Sequence, residues 1–203
     1  MRLGAVGMTT LGLQATGLIE AVGPEAGGFA PGDRVAYPAD AANKGMRPVM
    51  SQRDLIGFPK DVSLDKAAAL LPLGLIARTI VRQLHSIGRG NTVAIAPDES
   101  GAHAFVQAWV EDLGAIVVDP TDADAERADV QIGEADYLAA RRWRYGHGIG
   151  QQAASDVFQM VRRGVFDGIP ITAYPLSDAL RARAELTAGP VVLLPTDSFG
   201  KAA

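Results

Sequence analysis

The sequence predicts an α/β protein of two lobes: a β-rich lobe and a reduced, doubly wound parallel-sheet lobe. Three observations carry that expectation. From Thr92 to Val118 a strand, an amphipathic helix and a second strand follow one another without interruption, the pattern of a right-handed parallel crossover unit. Upstream, short apolar runs are punctuated by Gly23-Pro24 and by Ala30-Pro31-Gly32-Asp33, as in a β-rich lobe with tight turns. Between Val118 and Gln151 there is space for one strand, too little for a full doubly wound sheet, so four strands or fewer are expected in that lobe.

The elements follow in order. Thr16 to Val22 reads as a strand through Leu18, Ile19 and Val22, and Arg34-Val35-Ala36-Tyr37 as a second. Tyr37 to Arg53 is polar and irregular, and Leu55 to Phe58 is a short strand before Pro59. Ser63 is placed to cap a helix whose first turn carries Asp65, an acid favoured at the positive end of the helix dipole. Pro72 removes a backbone donor there, so a kink or two helices are expected. Leu75, Ile76, Thr79, Ile80 and Leu84 share the face of the second stretch, and Gly88 and Gly90 close it.

Thr92 to Ala96 reads as a buried strand. Phe105, Val106, Trp109, Val110 and Leu113 then recur at helical spacing, Gly114 stops the helix, and Ala115 to Val118 is the next strand. Asp119 to Asp129 is an acidic loop, and Val130-Gln131-Ile132 a short strand after which the pattern weakens. Gln151 to Arg163 is amphipathic, with Ala154, Val157, Phe158 and Val161 inward and a basic end before Gly164. Ser177-Asp178 caps a last helix to about Leu186, and Val191 to Leu194 is a closing strand.

Bulk properties exclude several functions. A net charge of −4 over 203 residues offers no concentrated basic face for nucleic acid. The short run Arg141-Arg142-Trp143-Arg144 reads as a solvated helix end or loop. No cysteine is present, which removes disulfides, thiolate metal sites and a cysteine nucleophile. His85, His103 and His147 have no metal-ligand spacing, so no metal is expected. No apolar run has the length of a membrane span and the first residues do not form a signal peptide, so the expected location is cytoplasmic.

Several segments together carry a resemblance. Ala15 to Pro24 followed by Phe29-Ala30-Pro31-Gly32-Asp33-Arg34-Val35 resembles the G-x-V-x-x-V-G…F-x-x-G-D-R-V pattern of a GroES-like lobe. Leu64 to Leu75, Phe158 to Gly164, Tyr174 to Ala179 and Gly189 to Pro195 resemble, in the same order, later segments of the zinc-independent medium-chain dehydrogenase/reductases of the quinone oxidoreductase kind. The resemblance implies a partial GroES-like β-barrel lobe with interlobe helices over 1–85 and 165–203, and a reduced, doubly wound Rossmann-like lobe over 86–164. It also implies that the first strands of the GroES-like lobe would precede Met1.

In that family a nicotinamide nucleotide binds at a glycine-rich turn, where bare backbone and a helix N-terminus meet its pyrophosphate. At the three glycine-type positions this chain has Ser100, Gly101 and His103, and an imidazole would crowd the third. Asp98 and Glu99 enter the same loop. A carboxylate within about 5 Å of a pyrophosphate costs about 2 to 4 kcal/mol at an intermediate dielectric. Weak or absent dinucleotide binding is therefore expected. If a nucleotide does bind, Ser100 and Gly101 are the loop contacts, and Asp119 at the end of the second strand favours NAD over NADP by holding ribose hydroxyls. The polar glutamine and threonine common in the family around the glycine matching Gly74 are here Leu73 and Ile76, a drier pocket.

Three functions stay open at this point. The leading expectation is a cofactor-independent enzyme of the cyclase, isomerase or dehydratase type, acting by proton transfer on a small, largely apolar substrate. His103, Asp98 and Glu99, with Tyr145 and His147 beyond, are its candidate catalytic groups, because an imidazole near a carboxylate can exchange protons with a substrate. The second is an NAD(P)H-dependent quinone or enone oxidoreductase. The third is a non-catalytic subunit that pairs with a full-length homologue. A homodimer is expected, since open sheet edges and apolar helix faces favour pairing with another copy.

Overall fold

The computed structural model describes residues 1–9, 12–25, 27–39, 48–122, 125–142, 149–184 and 189–195. The chain opens with β1 (Arg2–Thr9) and β2 (Gly12–Leu18), an antiparallel pair, followed by β3 (Arg34–Pro38) and β4 (Ile56–Gly57). A 16-residue helix, α1 (Leu64–Thr79), runs directly into a π-helical turn, Ile80–Leu84. Then come β5 (Thr92–Ile95), α2 (His103–Asp112), β6 (Ile116–Val118), β7 (Val130–Ile132) and α3 (Glu134–Arg142). The described chain closes with α4 (Ile149–Arg162), β8 (Thr172–Pro175), α5 (Ala179–Ala184) and β9 (Val191–Leu194).

Two sheets result. The larger has the order β4-β3-β2-β1-β9-β8, antiparallel except for the parallel pair β8 and β9. The smaller has the order β6-β5-β7 and is wholly parallel. The architecture is thus the expected α/β one, with a three-stranded parallel sheet among the described residues. One hydrophobic core joins the two halves: Leu70, Leu71, Leu73 and Ile76 of α1 pack with Phe105, Trp109, Val157 and Phe158. Burial of apolar surface, at about 25 cal/mol per Å², holds α1 against the large sheet and against α2 and α4. Ser63 caps that helix as expected, its hydroxyl accepting from the Lys66 amide.

The structure departs from the sequence pattern in three places. The residues after Met1, where that pattern marks no strand, form β1, in the middle of the large sheet. Glycine hid that strand: a β-carbon at Gly4 would strike Leu64, and one at Gly7 would strike the Ala68 carbonyl. Pro72 neither ends nor divides α1. Having no N–H, Pro72 gives the Ala68 carbonyl no helical partner, and that oxygen sits over the bare backbone of Gly7. Finally, β2 ends at Leu18; Ile19 continues the hairpin only through bonds with Gly32 and Asp33, and Val22 is exposed.

Candidate functional site

The chain leaves β5 through α2 to reach β6 on one side, and later returns to β7 on the other. The direction of winding therefore switches between β5 and β7, and ligands of doubly wound sheets bind at such a point, beyond the carboxyl ends of the strands. The loop from Ala96 to Ala102 and the first turn of α2 flank that crevice on one side, and the start of α3 on the other.

Asp98 does not face open solvent. Its Oδ2 accepts from the Ser100 amide at 2.9 Å and from the Ser100 hydroxyl, and its Oδ1 accepts from Arg141 Nη2 of α3 at 2.5 Å. The Asp98 side chain is only 6% exposed. Arg141 was expected on a solvated helix end; it instead crosses the crevice and neutralises the carboxylate that was expected to repel a pyrophosphate. Glu99 remains exposed in the turn. Gly101 has φ +80°, the left-handed region, and a β-carbon there would lie 3.0 Å from the Gly189 amide nitrogen. The one glycine kept in the loop thus serves both the turn and the approach of the segment before β9.

His103 begins α2 without crowding it. The buried position against the strand is taken by Ala102, while the imidazole turns back so that Nδ1 donates to the Ala96 carbonyl at 3.1 Å. The Tyr137 hydroxyl of α3 donates to the same oxygen at 3.3 Å. Tyr137 is fully buried; burial, and then the nearby Asp98 and Asp136 carboxylates, push its phenol well above the usual range, so it stays a donor. Asp136 in turn accepts from the Gly133 amide and bonds His85 Nε2 at 2.7 Å, tying α3 to the π-helical turn. Neither carboxylate of the loop bonds His103, whose expected acid–base pair with Asp98 is therefore not formed. Tyr145 and His147 lie outside the described residues.

At the end of β6, Asp119 Oδ1 accepts from the Thr121 hydroxyl at 2.6 Å and from the Thr121 amide at 2.8 Å. The hydroxyl bond, then the amide bond, hold its carboxyl below the ordinary carboxylate range. Both bonds use Oδ1, which leaves Oδ2 for a ribose hydroxyl. The first turn of α2 carries no side-chain cap, so its N–H groups are available to an anion at the mouth of the crevice. Leu73 and Ile76 are buried in the core against α1's neighbours. A separate pocket of about 540 Å³ lies between the Phe29 turn, β4 and α4; none of Asp98 to His103 lines it. Among the described residues, no group of three or more His, Asp or Glu side chains is placed to hold a metal ion, and no helix is long and apolar enough to cross a membrane.

No protein-family model matches the chain. The chain is 32% identical to a quinone oxidoreductase of Pseudomonas aeruginosa over 107 residues, which are 51% of this chain and 32% of that protein. Over that stretch the chain is similar to a quinone oxidoreductase. A 2-haloacrylate reductase of a Burkholderia species is 32% identical over 124 residues, 58% of this chain and 37% of that protein. The chain thus spans about a third of the length of the curated relatives it matches. Among solved structures, quinone oxidoreductase of Escherichia coli complexed with NADPH superposes with a TM-score of 0.69 at 17% identity, over 96% of this chain and 90% of that one. These likenesses agree with the expected quinone oxidoreductase scaffold. They also correct the expectation of no cofactor: the matched relatives are an oxidoreductase and a reductase, and a neighbour of this fold is complexed with NADPH, which points to a nicotinamide cofactor rather than none. Asp98, which as a bare charge would repel a pyrophosphate, is paired with Arg141 instead. The uncapped α2 turn and Asp119 fit such a group; the Gly101 backbone, packed on Gly189, fits it less closely than three open glycines would.

Proposed function

We propose that this chain is a nicotinamide-dependent reductase acting on a small, largely apolar quinone or electron-poor alkene, and that it uses NADH in preference to NADPH. The observation that carries the reading is the pairing of an uncapped α2 N-terminus at the switch point with an ionised Asp119 at the end of the neighbouring strand. Bound nicotinamide would supply a hydride to the electron-poor carbon or quinone. The chain's own residues do the rest. The α2 amides, with the Gly101 backbone, receive the pyrophosphate, while Ser100, whose amide and hydroxyl both donate to Asp98, shapes the turn; Asp119 Oδ2 accepts from a ribose hydroxyl. A 2'-phosphate would meet the Asp119 charge instead, and Pro120, Thr121 and Asp122 bring no cation to offset it.

The reading includes a homodimer. The sheet edge at β8 and the edge at β6, where Ile116 is 57% exposed, are the surfaces a second copy would cover. Titration of the purified protein with NADH and with NADPH, followed by oxidation of the bound nucleotide on adding 1,4-benzoquinone, tests the function. NADH binding with quinone-dependent turnover supports it; binding of neither nucleotide removes it.

A further inference from the structure

We infer that Arg141 is the pyrophosphate-binding cation of this site, and that Asp98 holds it in place until the nucleotide arrives. The inference rests on the nicotinamide reading and adds to it a residue from outside the strand-loop-helix motif. A glycine-rich turn binds pyrophosphate with backbone N–H groups alone, because three bare positions let the anion come close. This loop has one glycine at those positions, and Gly101 is packed on Gly189. Close backbone approach is therefore reduced, and charge is the other means of holding a phosphate.

Arg141 supplies that charge. It projects from α3 across the crevice between β5 and β7, and Nη2 meets Asp98 Oδ1 at 2.5 Å. Among the described residues it is the arginine or lysine in ion-pair contact with this loop. Its side chain keeps 27% of its surface exposed, against 6% for Asp98, so the arginine is the more accessible partner of the pair although its Nε is buried. The position of α3 is fixed independently, by Tyr137 on the Ala96 carbonyl and by Asp136 on His85. The fork of a guanidinium can bridge a carboxylate and a phosphate at once or pass from one to the other. Asp98 is thus an internal stand-in for the anion: it keeps Arg141 oriented and competes with the ligand for it.

The competition gives the two partners opposite signs. Asp98→Asn keeps an acceptor for Ser100 but removes the carboxylate charge that competes for the guanidinium, so NADH and ADP-ribose bind about three- to tenfold more tightly. Arg141→Gln weakens both by about tenfold or more and flattens the salt dependence, and Arg141→Lys recovers part of the loss. Adenosine, which has no pyrophosphate, binds all variants alike. Thermal unfolding measured in parallel reports whether each variant is folded; if Arg141→Gln is not, Asp98→Asn and Arg141→Lys decide. If Asp98→Asn weakens NADH binding as Arg141→Gln does, the pair is only a structural latch and the inference fails. Affinity of Arg141→Gln within twofold of the unaltered protein also overturns it. Both outcomes leave the nicotinamide reading intact, whereas an unaltered protein that binds neither NADH nor ADP-ribose removes that reading and this inference together.

Discussion

The carbonyl oxygen of Ala68 in α1 occupies the space that a β-carbon at Gly7 in β1 would need. The contact ties an interior proline to a strand glycine: Pro72 gives Ala68 no amide partner, and the bare backbone of Gly7 lets helix and sheet close on each other. Gly7→Ala must push α1 off the sheet and is expected to cost about 3 kcal/mol. Urea unfolding would show this as a lower midpoint with an unchanged slope. A midpoint equal to the unaltered protein's would mean that the helix and the strand are farther apart than described.

Arg78 Nε meets Asp156 Oδ2 at 2.8 Å and joins α1 to α4 where the arginine is 8% exposed. Asp156→Ala leaves a guanidinium charge in that buried place without its carboxylate, at a cost of about 2 kcal/mol, lowered from a fully buried pair by the partial exposure of Asp156. Thermal unfolding of the variant against Asp156→Asn, which keeps an acceptor, would separate the charge from the hydrogen bond.

Tyr137 sets an alkaline limit. Its phenol in the folded state is held above the ordinary value of 10.0, so the unfolded chain releases that proton first as pH rises. The unfolded state then binds fewer protons than the folded one, and stability falls as pH climbs above 10, having been fully present below it. Buried Tyr37 is shifted in the same direction and shares the slope. Tyr137→Phe should flatten the decline between pH 10 and 12 without abolishing it. An unchanged slope would place the titrating group elsewhere.

Asp119 carries the nucleotide preference. Asp119→Ser removes the charge that opposes a 2'-phosphate and keeps a ribose acceptor, so the ratio of NADH to NADPH affinity should fall about tenfold or more. The ratio itself is the readout, because a general loss of folding would lower both affinities together.

Much of this was readable from the chain. The unit from Thr92 to Val118 was evident because Phe105, Val106, Trp109 and Val110 keep a clean helical stripe between two β-branched runs, and all four are buried. β1 was not, because Gly4 and Gly7 weaken the strand pattern for the sake of contacts with α1 that only the folded chain displays. α3 was missed for another reason: only Tyr137 and Ala140 of its nine residues are buried, too few for an apolar stripe. With α3 went the partner of Asp98. A carboxylate and a guanidinium 43 positions apart give no local signal, so the loop looked acidic and bare when it is neutralised from across the crevice.

The most direct test of the account is a fluorescence titration of the unaltered protein with NADH and NADPH at low ionic strength. The account predicts saturable NADH binding at submillimolar concentration, weaker NADPH binding, and loss of the NADH signal on adding a quinone. No saturable binding of either nucleotide up to several millimolar would contradict it.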